Sequence, residues 1–179
     1  MTDRPLTNLR GKWAQGIVPR NFMWAIKDQF AICERLGGYG SNHRPVRRQE
    51  EIIWVLNNGF TYAVSLIDGS ANLHNYEELK LPYLHRPIAK TDDFSIRLPE
   101  IYHEMKQRVD YGEKLLFHRS EVNDLVVGFV GGYLIWTGLV PDPPKAVTVT
   151  EQLLGRQLGP LARGMVKDVK TAREARPDI

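Results

Sequence analysis

The sequence predicts an α/β protein, a single domain whose mostly parallel sheet is flanked by helices. Three observations lead there. Short runs rich in branched and aromatic residues, such as FTYAVSLI (60–67) and KLLFH (114–118), alternate with segments of helical apolar spacing. Those runs are apolar on successive residues, as strands covered on both faces are. The chain has 179 residues, 42% of them hydrophobic and 25% charged, which is enough for one domain with a real core.

The elements follow in order. Residues 1–20 carry Pro5, Gly11, Gly16 and Pro19 and read as an N-terminal arm. MWAIKDQFAICERL (23–36) has apolar residues on both sides of Lys27-Asp28-Gln29, which predicts an edge hairpin. GGYGSNHRP is a glycine-rich loop. Pro45 starts a helix with Gln49, Glu50 and Glu51 in its first turns, where acidic groups suit the dipole. Ile52, Ile53, Val55 and Leu56 form its apolar face, and Asn57-Asn58-Gly59 ends it. The strand at 60–67 leads through the turn Asp68-Gly69-Ser70 to a short helix at 76–80, and LPYLHRPI (81–88) is the next strand. After AKTDDFS (89–95) a helix carries the stripe Leu98, Ile101, Met105 and Val109, and Gly112 closes it. KLLFH is the last strand, and an apolar helix follows over 125–136. Pro141, Pro143 and Pro144 read as a break, 145–157 as a further helix, and 164–179 as a charged C-terminal tail. The globular domain is therefore expected over 21–163. Ligands bind such sheets at the carboxyl ends of strands, where the loops at 89–95 and 118–124 both fall.

Composition excludes several classes of function. Cys33 is the single cysteine, so neither an internal disulfide nor a cysteine-based zinc site is expected. The histidines His43, His74, His85 and His103 lack helical metal-site spacing, and no metal or cofactor is expected. The charge of +3 with a pI near 9.0 is mildly basic. The cluster Arg44, Arg47, Arg48 has no interleaved aromatics, so no nucleic-acid partner is expected. No apolar run reaches membrane-spanning length and the first residues lack a signal-peptide core, so a cytoplasmic protein with no membrane partner is expected.

Four segments carry a resemblance. NFMWAIKDQFAICERLGG, RRQEEIIWVLNNGFTYAVSLID, YLHRPI and GEKLLFH follow one another in the order and spacing of the cysteine-based, dual-specificity type of protein-tyrosine phosphatase. The chain resembles that family over roughly residues 21–159, which implies the family's phosphatase-like fold. The family's signature is His-Cys-x5-Arg. Its cysteine must be a thiolate, favoured by a helix N-terminus and converging backbone N–H groups. A loop glycine permits that convergence, the arginine forks onto phosphate oxygens, and a separate aspartate protonates the leaving group.

On that pattern His118 matches the histidine, and the cysteine position holds Arg119. Val122 stands at the glycine and Leu125 at the arginine. Ser120, Glu121, Asn123 and Asp124 fill the remainder. Aligned on YLHRPI, the acid position falls at Lys90, with Asp92 and Asp93 close behind. A bland reading stands beside each. Asn123 suits an N-cap and Asp124 a helix first turn. Cys33 suits a small buried hydrophobe, and Ser120 has no evident base. Tyr39 is either an ordinary loop residue or one that leans over the site. Arg156 and Arg163 are helix-end arginines or anion contacts. Trp13 and Trp24 suit anchors for the arm, and Trp54 and Trp136 core edges.

The resemblance with these replacements implies a catalytically inactive phosphatase-like protein that acts as a binding or regulatory module. A protein partner is expected, with a weak anion contact at Arg119. The alternatives are a divergent hydrolase built on Asp92, Asp93, His118 or Glu121, and a structural subunit of a larger assembly.

Overall fold

The computed structural model describes residues 15–69, 73 and 75–178. Trp13, His74 and most of the N-terminal arm lie outside them. The chain forms strands β1 (Met23–Ile26), β2 (Phe30–Glu34), β3 (Tyr62–Ser65), β4 (Tyr83–His85) and β5 (Leu115–Arg119). Its helices are α1 (Pro45–Asn57), α2 (Asn75–Glu78), α3 (Phe94–Asp110), α4 (Asp124–Trp136), α5 (Pro143–Leu154) and α6 (Pro160–Ala175). The sheet order is β1-β2-β5-β3-β4, with β1 antiparallel to β2 and every other pairing parallel.

Alternation along the strands divides the core into two layers. Phe30, Ile32, Val64, Leu115 and Phe117 face α3, α4, α5 and α6. Ala31, Cys33, Ala63 and Leu116 face the side of α1 and α2. Both faces are thus covered, the condition a parallel sheet requires. Among the described residues no helix is long and apolar enough to cross a membrane.

Helix α4 lies centrally and is buried along its whole length from Leu125. Its glycines let α6 approach. A Cβ on Gly128 would stand 2.8 Å from the Ala162 Cα, and one on Gly131 would stand 2.8 Å from Val166 Cγ2.

Three sequence expectations are corrected here. The boundary placed at 164 falls inside α6, whose Met165, Val166 and Val169 are fully buried. The charged residues that suggested a tail are only the outer face of an amphipathic helix. Pro143 and Pro144 do not break the chain but begin α5, where their missing N–H groups have no helical partner to lose, and Asp142 caps the turn by accepting from Lys145 N at 3.0 Å. Glu51 is not a dipole-facing residue of the first turn. It lies on the inner face of α1, only 1% exposed.

Candidate functional site

The loop after β5 is positioned by the centre of the sheet. β5 lies between β2 and β3, so its carboxyl end opens among the strand-end loops. Arg119, the last residue of β5, turns its guanidinium inward. Nη1 donates to the Leu66 carbonyl at 2.7 Å and to the Ile88 carbonyl at 2.6 Å. Nη2 lies 3.6 Å from the Asp68 carboxylate, and the side chain is 15% exposed. Leu66 follows β3 and Ile88 follows β4, so one cation ties the ends of both strands to β5. An anion arriving at Arg119 meets a guanidinium already engaged with two carbonyls and facing a carboxylate.

Val122 and Leu125 are buried and belong to the core layer under α4. The loop therefore uses as packing the positions where the resemblance looks for a turn glycine and a phosphate-binding arginine. Asn123 is the N-cap of α4. Asp124 points away from the loop mouth, and its two oxygens accept from Gly159 N at 2.7 Å and Ala162 N at 2.8 Å. It thus caps α6, a carboxylate at a positive helix end. Gly159 is needed for this contact, since a Cβ there would meet Asp124 Oδ2 at 2.8 Å. Arg156 supports the loop from below by donating to the Val122 carbonyl. Arg163 donates to the Leu158 carbonyl and to Glu151, and so braces the turn into α6.

His118 is fully buried on the other face of the sheet, in register with Cys33 of β2 and Ser65 of β3. Its Nε2 lies 3.2 Å from the Tyr76 hydroxyl, and Nδ1 has no partner among the described residues. Burial, with the Arg35 cation and His85 adding to it, pushes the imidazole pKa down to about 3. It is therefore neutral at ordinary pH and closed to solvent. Cys33 is also fully buried, and burial, then Glu51 and Glu34, hold its thiol protonated. A protonated buried thiol is a poor nucleophile. Ser120 has no basic partner among the described residues.

The acid loop has structural duties of its own. Asp92 accepts from Ala89 N at 2.8 Å. Asp93 is the N-cap of α3 and accepts from Ser95 N at 3.0 Å. Lys90 is exposed.

At the loop mouth, Tyr39 leans across from the glycine-rich segment. Its hydroxyl donates to Glu121 at 2.7 Å, and this bond keeps the phenol pKa raised. Tyr39, Glu121, Glu34, Arg20 and Asn42 wall a polar cleft of about 450 Å³. Glu51, which the sequence reading did not single out for this place, anchors the glycine-rich segment. It accepts from Gly37 N at 2.6 Å and from Arg47 Nε at 2.7 Å. Its spacing one before Ile52 and four before Val55 was the available signal, since both of those are core residues. Tyr76, the partner of His118, had no comparable signal.

No family model matches the chain, and no curated protein matches it in sequence. Solved structures do match. The chain is similar to the P. aeruginosa protein TpbA in complex with phosphotyrosine, with a TM-score of 0.66 at 15% identity over 93% of this chain and 97% of that one. It is similar to Tk-PTP in its active form, with a TM-score of 0.64 at 15% identity over 84% and 97%. It is also similar to human DUSP28, with a TM-score of 0.59 at 13% identity over 89% and 99%. At such identities the likeness shows the fold: an α/β architecture with a five-stranded mixed sheet, matching phosphatase-like neighbours.

Proposed function

We propose that this chain is a catalytically inactive relative of the protein-tyrosine and dual-specificity phosphatases, and that it works by binding a protein partner at the face formed by Tyr39 and the 119–123 loop. The observation that carries this reading is Arg119. It follows His118 where the resemblance places a nucleophilic cysteine, and its Nη1 is bound to the Leu66 and Ile88 carbonyls. Three further placements support it. Leu125 is packed in the core, the lone thiol is buried on β2, and His118 is sealed beneath the sheet. The carboxylates open to a non-cysteine mechanism are engaged elsewhere: Asp92 with Ala89 N, Asp93 with the start of α3, and Glu121 with Tyr39.

The test is hydrolysis of an aryl phosphate by the purified full chain, with and without divalent cations. The expected rate equals that of buffer alone in both conditions. Turnover that co-purifies with the protein and disappears in Asp92→Asn, Ser120→Ala or Glu121→Gln overturns the proposal.

A further inference from the structure

One cavity lies far from the loop. It sits between α3 and the C-terminal end of α6, over the last turn of α4, and has a volume of about 540 Å³. Trp136 at this cavity stands twelve positions after Asp124 at the loop along α4, roughly 18 Å at the helical rise. The cavity therefore does not depend on the proposed function.

We propose that it binds a small organic anion with a flat apolar body, an aromatic carboxylate or sulfonate. Its volume falls in the range of small-ligand sites. The Trp136 indole forms the floor, and Ile96 and Pro99 of α3 form one wall. Ile96 is 54% exposed, so this apolar wall is open to solvent. The His103 ring meets the indole edge-on at 6.5 Å. The opposite wall presents cations. Arg173 donates to the Trp136 carbonyl and holds its guanidinium 6.0 Å from the indole, which fixes its position. Arg176, three residues further along the same wall, makes no ion pair among the described residues. Two carboxylates line the cavity as well. Glu100 is already paired with Arg97 at 3.3 Å, which leaves Asp178 at the rim against two arginines. An apolar floor with a fixed cation at its edge complements an aromatic ring bearing one negative group.

The test is a fluorescence titration of the full chain with anilinonaphthalene sulfonate, followed by competition with naphthoate. One saturable site is expected, with naphthoate displacing the dye. Arg176→Glu, at an exposed position, should weaken binding at least about tenfold. Ala172→Trp, which fills the cavity, should remove it. Thermal midpoints of both variants should match the parent. The absence of saturable binding, or affinities that neither variant changes, overturns the proposal. Displacement by neutral naphthalene methanol as effective as by naphthoate overturns the assignment of an anion.

Discussion

Arg119 holds two carbonyl groups that would otherwise face a closed crevice, and this makes its removal costly. Arg119→Ala leaves the Leu66 and Ile88 oxygens unpartnered. About 1–3 kcal/mol of stability should be lost, read as a lower urea midpoint. Arg119→Lys, with a single ammonium at its tip, should recover part of it. His118 gives a second prediction. Its folded pKa of about 3 lies below the usual 6.5, so between those values the unfolded chain binds the extra proton. The stability that depends on a neutral imidazole is fully present above pH 6.5 and drains as pH falls toward 3, by up to about 1.4 kcal/mol per pH unit. Denaturant midpoints measured from pH 7 to 4 should fall more steeply for the parent than for His118→Gln. At this scale the sequence displayed which residues occupy the loop but not where they point. Asp124 reads equally as a first-turn residue of α4, and its second duty at α6 depends on a contact 35 residues away.

The helices show which local signals are trustworthy. Pro45 with helical spacing behind it marked the start of α1 correctly, because proline preference at a first turn is a local matter. The same rule applied to Pro143 and Pro144, but Pro141 nearby made the group look like a break. The inner face of α6 was hidden among Arg163, Lys167, Asp168, Lys170 and Arg173. Only the glycine face of α4 reveals what α6 packs on. Two measurements check this joint. Asp124→Ala should cost about 1–2 kcal/mol and speed amide exchange at Gly159 and Ala162, the groups it caps. Gly128→Ala should cost about 1–3 kcal/mol, because its methyl group meets the Ala162 backbone, which cannot turn aside.

For the whole molecule, the alternation of strands and helices was enough to predict a covered parallel sheet, since a two-sided apolar strand has few other solutions. Strand order was not legible: β5 pairs with β2 and β3 through contacts far apart in sequence, Phe30 with Leu115 and Tyr62 with Leu115, which no local pattern encodes. A chain ending after Arg163 loses Met165, Val166 and Val169 from the core. At about 1.5–3 kcal/mol each, their removal approaches the roughly 5–15 kcal/mol that holds a domain of this size. That truncation should leave the chain without a cooperative thermal transition. The central place of β5 also bears on synthesis. Phe30 pairs with Leu115 and Tyr62 with Leu115, so neither half of the sheet can close on its centre until that strand has left the ribosome. At 5–20 residues per second, β2 waits about 4–16 s with an open edge. Nascent chains arrested before β5 emerges should remain open to protease, and those arrested beyond α6 should resist it.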